Sequence, residues 1–141
     1  MTRDDMVALA RQHAALEGDP DLSQGVDAAI DAVMATLDDN PRYDLFPAGV
    51  TFHGRDAARR YYEHFFTTFR PLLAGGSFIA EYVGADGLVL EYTIAIRNGE
   101  VVQEHRIISV LVFGDSLLAG ERVYGSDEFL RILFGPLWSG D

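Results

Sequence analysis

"VVQEHRIISVLVF", residues 101–113, reads as one long extended strand, and that reading decides the fold. Val, Ile, Leu and Phe crowd a run too rich in β-branched residues for a helix and bounded by turn signals. Working outward, "NG" (Asn98, Gly99) precedes it and "GDS" (Gly114 to Ser116) follows, while "DG" (Asp86, Gly87) lies one strand earlier. Such dipeptides between apolar runs mark β-hairpins. The spacing therefore predicts a four-strand antiparallel meander over residues 77–84, 88–97, 100–113 and 117–125.

The turns also assign faces, because side chains alternate along a strand. With Asn98 and Gly99 as a two-residue turn, Tyr92 faces His105 and Glu91 faces Arg106. With Asp86 and Gly87 as the preceding turn Glu81 faces Tyr92, and a three-residue "GDS" loop sets Ser109 opposite Glu121 and His105 opposite Gly125. One face then holds Ile79, Glu81, Val83, Leu90, Tyr92, Ile94, His105, Ile107, Ser109, Leu111, Glu121 and Val123. The other holds Glu91, Glu104, Arg106, Ile108, Val110, Val112, Arg122 and Tyr124. Both faces are apolar enough to need covering, and the helices can cover only one. The second face implies a homodimer.

Upstream, the period is helical. Residues 2–16 place Met6, Leu9, Ala10 and His13 on one face, with Thr2 and Asp5 spaced as a capping box. Residues 23–37 do the same with Val26, Ile30, Val33 and Leu37, stopped by "DDNP". "RYDLFPAGVTFHG" reads as irregular or as short strands around a turn at Pro47 and Gly49. "RDAARRYYEHFFTTF" is a third helix whose buried stripe takes Ala58, Tyr61 or Tyr62, Phe65 and Phe69, with Arg55, Arg59 and Arg60 on a solvated face. "SDEFLRILFGP" closes the chain as a helix capped by Ser126 and stopped by Gly135 and Pro136.

A chain of 141 residues, 48% hydrophobic, suits one domain, taken here as 1–141. A net charge of -11 argues against nucleic acid or an anionic membrane surface as partner. With no cysteine there is no disulfide, thiolate nucleophile or Cys-bound metal. No run approaches the roughly 20 apolar residues of a membrane span, and no signal peptide is visible, so a cytoplasmic protein is expected. His53 and His64 lack an HExxH-type spacing, and neither a Gly-rich phosphate loop nor a nucleophile elbow is present. No metal and no cofactor are expected.

The order of elements, the segment "GVTFHGRDAARRYYEHFF" and the last strand "GERVYGSDEFL" resemble the nuclear transport factor 2-like superfamily in its SnoaL-like branch, which includes polyketide cyclases, ketosteroid isomerases and limonene epoxide hydrolases. The resemblance implies an α+β cone, a curved antiparallel sheet wrapped around N-terminal helices and enclosing an apolar pocket, and it implies a dimer. Asp44, in "RYDLFPAG", stands near the general-base aspartate of ketosteroid isomerases, in which an Asp base works with a Tyr and a protonated Asp as oxyanion donors. The donor position of that family falls on Ser109 and its first-helix tyrosine position on Gln12 or His13, so that oxyanion hole is not reproduced. His105 matches the strand histidine of the cyclases, whose acidic partner falls on Tyr124 to Ser126; Val123 occupies the place of the epoxide hydrolases' last-strand aspartate.

These readings make Asp44, His105 and Tyr92 the catalytic candidates, with Glu81, Ser109, Glu121, Val123, Ile107 and Tyr62 lining a site for an apolar small molecule. A carboxylate, Asp44 ahead of Glu121 or Glu81, would remove a proton next to a carbonyl, and His105 with Tyr92 would donate to the oxyanion. His13 and His64 are assigned to packing. The activity expected is cofactor-free isomerisation, cyclisation, hydration or dehydration. The alternatives are a non-catalytic ligand-binding or dimeric interaction module, and a cone filled by its own side chains.

Overall fold

The computed structural model describes residues 2–139; Met1, Gly140 and Asp141, the ends of the expected domain, lie outside the described residues. Helix α1 (Arg3–Gly18) begins with the capping box: the Thr2 hydroxyl accepts from the Asp5 N–H, and the Asp5 carboxylate accepts from the Thr2 N–H. It buries Met6, Val7, Ala10 and His13. Helix α2 (Val26–Met34) is shorter at both ends than its apolar period suggests, because Gly25 caps it and Leu37 already belongs to a strand.

That strand is the largest departure from expectation. Residues 37–46 form β1 (Leu37–Phe46), ten residues long, and β2 (Val50–His53) folds back on it. Three aspartates, an asparagine and a proline in "LDDNPRYDLF" are poor strand formers. What holds them extended is non-local: β1 runs parallel to β6 (Leu118–Tyr124), pairing Tyr43 with Glu121 and Leu45 with Val123. The ladder shifts between Leu37 and Arg42. There Arg55 donates to the carbonyls of Met34, Leu37 and Asp38, and so ties the end of α2 to the start of β1. Arg55 is part-buried rather than part of a solvated face, and Arg59 pairs with Asp31 on α2. Gly120 passes so close to β1 that a Cβ would overlap the Arg42 carbonyl, and its φ of +136° suits glycine.

The meander is as expected: β3 (Leu73–Val83), β4 (Gly87–Asn98), β5 (Val101–Phe113) and β6. With β1 and β2 it makes a curved, open, mixed sheet of six strands in the order β2-β1-β6-β5-β4-β3 rather than a purely antiparallel four. Every hairpin pairing slides by two residues. Asn98 pairs with Val101, leaving Gly99 and Glu100 as the turn, so Tyr92 lies opposite Ile107 and His105 opposite Ile94. Similarly, Glu81 faces Leu90, and a longer loop from Gly114 to Leu117 puts Ser109 opposite Val123. A slide of two leaves each side chain on its expected face. A bulge between Phe78 and Ala80 is the exception: it sets Phe78, not Ile79, opposite Tyr92.

Helix α3 (Arg55–His64) continues through a π-helical turn (Phe65–Phe69) and a short 3-10 turn (Arg70–Leu72) into β3. α4 (Asp127–Phe134) starts at Ser126, whose hydroxyl accepts from the Phe129 N–H, and ends at Gly135. Helix and strand residues together fill the concave side of the sheet with aromatic rings. Tyr43 stacks on Phe52 at 4.9 Å, Tyr61 on Phe134 at 4.5 Å and Phe65 on Phe69 at 5.4 Å. Full burial of each such ring contributes about 1.5–3 kcal/mol. The rings of Tyr43, Phe52, Tyr61 and Phe134 fill the side of the cone near β1 and β2, while Phe65 and Phe69 border an open space toward β3 and β4.

Candidate active site

The open end is a cavity of about 580 Å3. Its walls come from the inner faces of β3, β4 and β5, the C-terminal end of α1, the π-helical turn and Leu133 of α4. Phe65, Phe69, Phe78, Leu90, Ile94 and Leu111 make it apolar; Glu17, Tyr92, Ser109 and Glu121 are its principal polar groups. A cavity of this size and lining fits a small molecule.

Glu17 and Glu121 meet over His13. On α1, His13 and Glu17 are one turn apart and share a face, and the imidazole Nε2 lies 2.8 Å from Glu17 Oε1. Glu121 reaches in from β6, its Oε2 3.6 Å from the same nitrogen. The other ring nitrogen is fixed: Thr36 donates its hydroxyl proton to the Val33 carbonyl at 2.7 Å, so its oxygen accepts from His13 Nδ1–H, also at 2.7 Å. Tyr62 donates to Glu121 Oε2 at 3.4 Å and lies 3.1 Å from His13 Nε2; Tyr43 supports it, hydroxyl to hydroxyl, at 2.5 Å. His13 is fully buried and the Glu121 side chain is 6% exposed.

Burial alone would pull the His13 pKa down, but the charges and hydrogen bonds of Glu17 and Glu121 outweigh it and push it up to about 10. His13 is therefore an imidazolium at neutral pH. Glu17 moves to about 7: burial and the charge of Glu121 raise it, and His13 opposes them. Tyr43 and Tyr62 are raised well above their ordinary value, first by burial and then by these carboxylates, and Tyr92 is raised mainly by burial. The tyrosines thus act as hydrogen-bond donors and not as bases. One carboxyl poised near neutrality, facing an apolar cavity and backed by a fixed imidazolium, can give or take a proton. The oxygens of Glu17 and Glu121 and His13 Nε2 all lie within 4.8 Å, near enough for one cation to touch all three, but the His13–Glu17 hydrogen bond fills that role here.

Tyr92 and Ser109 form a second polar pair on the wall, hydroxyl to hydroxyl at 2.7 Å. Their mutual bond uses one of two hydroxyl protons and leaves the other for a ligand.

Of the residues singled out from sequence, the structure brings Glu121, Tyr92 and Ser109 to the cavity and joins Tyr62 to Glu121 behind it. Ile107 and Val123 are buried in the core beneath. Glu81 turns inward but pairs with Arg11 of α1 at 2.6 Å and does not line the cavity. His105 is buried against Phe129, ring centres 5.0 Å apart, and is not beside Tyr92, because the strand slide moved it along the ladder. Asp44 lies on the opposite face of the sheet: it pairs in register with Arg122, accepts from Thr51 Oγ1 at 2.7 Å and binds Arg42. Its side chain does not reach the cavity.

The residues missed were His13 and Glu17. A signal existed: a histidine in a buried helical stripe, a glutamate one turn later, and Glu121 on the inner face of the last strand. Each alone is weak, and together they predict a buried triad.

With that geometry in view, the solved structures can be compared. A nuclear transport factor 2-like protein from Anabaena variabilis matches with a TM-score of 0.64 at 14% identity, over 90% of this chain and 95% of that one. A nuclear transport factor 2-like protein of unknown function from Burkholderia pseudomallei matches at 0.62 and 13%, over 94% and 98%. The chain has the nuclear transport factor 2-like fold. A hypothetical protein of ketosteroid isomerase-like fold from Catenulispora acidiphila, solved in complex with trimethylamine, matches at 0.60 and 12%, over 92% and 94%. No family model matches the sequence, and no curated protein matches it significantly. The likeness is one of fold. No helix among the described residues is long and apolar enough to cross a membrane.

Proposed function

We propose that this protein is a pocket enzyme of the SnoaL-like kind, working without a cofactor by general acid/base catalysis on a small molecule with an apolar body. The observation that carries the reading is that Glu17 and Glu121 both open onto the cavity while sharing one buried imidazole. Either carboxylate would take a proton from carbon next to a polarised group, with His13 holding the charge balance. Tyr92 and Ser109 would donate to the oxygen on which negative charge develops. Isomerisation, cyclisation, and addition or loss of water all need these two functions. That a neighbour of the same fold was solved with a small organic molecule supports a ligand-binding role.

The test is hydrogen–deuterium exchange at carbon. Ligands found by thermal-shift screening are incubated with protein in D2O and followed by NMR. Wild type is expected to exchange a proton of at least one ligand, and Glu121→Gln to lose about 10²–10⁴-fold of that rate while still binding. Binding without exchange would favour the second reading, a non-catalytic binding module of the same fold.

We propose further that the protein works in the cytoplasm as a homodimer packed through the outer sheet face. Ile108 and Tyr124 are 38% and 40% exposed there, beside the Arg106–Glu91 pair at 3.0 Å. Light scattering at micromolar concentration should give twice the chain mass for wild type and the single mass for Ile108→Glu. A wild-type monomer sinks the dimer.

A further inference from the structure

We propose that the ligand is an organic ammonium ion, an apolar body carrying one positive nitrogen that rests against Glu17 and Glu121. This rests on the cavity being a ligand site, and it names the class of molecule that the site selects.

The charge balance of the cluster leads there. Two carboxylates share one imidazole, so full ionisation leaves one negative charge without a partner, and both carboxylates face the cavity rather than the core. His13 lies behind them. Arg70 is the cationic side chain on the cavity wall, among the described residues, but its guanidinium donates to the carbonyls of Glu17 and Gly18 at the end of α1. It neutralises a helix C-terminus and not the carboxylates. A neutral ligand that filled the cavity would strip water from the carboxylates and return nothing, which is costly. An anion would be repelled. An ammonium ion supplies the missing charge.

The walls favour the same ligand. Phe65, Phe69, Phe78 and Tyr92 line the space before the carboxylates, and aromatic faces attract cations. Phe78 is 66% exposed at the rim, where an approaching ligand meets it first. A net charge of -11 also draws cations rather than anions toward the protein. A bound cation would favour the ionised form of Glu17, which burial and Glu121 now oppose. It would thereby ready that carboxylate as a base.

The experiment compares benzyltrimethylammonium with neopentylbenzene, two molecules of one shape that differ in charge, and with phenylacetate, by ligand-observed NMR titration of the full chain at pH 7. The ammonium is expected to bind about tenfold more tightly than the neutral isostere, and phenylacetate not to bind. The advantage should fall toward unity in Glu17→Gln and Glu121→Gln, whose folding is checked by circular dichroism. The wild-type ratio alone decides the matter if either variant fails to fold. Equal binding of the two isosteres overturns the ammonium inference and leaves the pocket standing. Binding of none of the three, with a neutral or anionic ligand found by screening, overturns it likewise; a screen in which nothing binds overturns the pocket reading too. If Zn2+ or Mn2+ raises the melting temperature through Glu17 and Glu121 while the ammonium does not, the cluster is a metal site and the proposal falls.

Discussion

Asp44 and Glu121 sit on neighbouring strands, β1 and β6, within one residue of each other in the ladder, since Tyr43 pairs with Glu121 and Asp44 with Arg122. Their surroundings have little in common. Asp44 points to the outer face, 18% exposed, where Arg42 and Thr51 hold it in an arrangement open to water. Glu121 points inward, almost wholly buried, toward a histidine, a tyrosine and an apolar cavity. One step along a strand separates a surface ion pair from a buried carboxylate held against His13 and Tyr62. The difference teaches that, on a two-faced sheet, parity decides which carboxylate is buried against the cavity and which stays at the surface with an exposed arginine.

The sharpest way to break this comparison is to remove the inner partner. His13→Leu leaves Glu17 and Glu121 buried without their imidazolium, and such an uncompensated charge costs about 3–5 kcal/mol. Urea unfolding at pH 7 should show that loss. His105→Phe, at a buried site beside the Phe129 ring that involves no carboxylate pair, should cost far less. Equal losses would mean that His13 is ordinary packing and the triad is not a charged unit.

A smaller effect sharpens it. Folding raises Glu17 from its ordinary 4.5 to about 7. The folded protein then holds that proton more tightly than the unfolded chain, so the contribution is whole below pH 4.5 and disappears as pH rises through 7. Wild type should lose about 1–3 kcal/mol over this window relative to Glu17→Gln, measured by urea unfolding at successive pH values. His13, raised from 6.5 to about 10, has the same sign and gives a second fall above neutrality. Parallel profiles for the two proteins would show that Glu17 is not shifted.

The legible parts of the molecule are those built from local contacts. Residues 77–125 fold as hairpins whose turns lie in the sequence itself; each register slipped by two, which preserved parity and so the correct face for Tyr92, Ser109 and Glu121. The first half of strand β1 was not legible, since Asp38, Asp39, Asn40 and Pro41 carry turn signals and become extended only by pairing with β6, some eighty residues on, whereas short strands were one reading of the residues from Arg42 onward. The triad escaped notice for the same reason. His13 looks like packing until Glu121, distant in sequence, is placed against it. Asp44 was weighted by its place before a helix, and its face depends on a parallel pairing with β6 that local pattern did not reveal.

The smallest effects belong to the outer carboxylate. Arg42 is 66% exposed, so its pair with Asp44 is screened by water, and Arg42→Ala should cost about 0.2–1 kcal/mol in urea unfolding. Asp44→Asn keeps the shape of the side chain, and Thr51 can still donate to its remaining oxygen, so stability should change by no more than that. In the D2O exchange assay the same variant should keep the wild-type rate, because no cavity wall includes Asp44. A general base is worth about 10²–10⁴-fold in rate, so a loss of that size in Asp44→Asn, with Glu121→Gln unaffected, would reverse the assignment. The working pocket would then lie on the outer face of the sheet, between Asp44, Arg42 and Thr51, and the buried triad would be a structural brace.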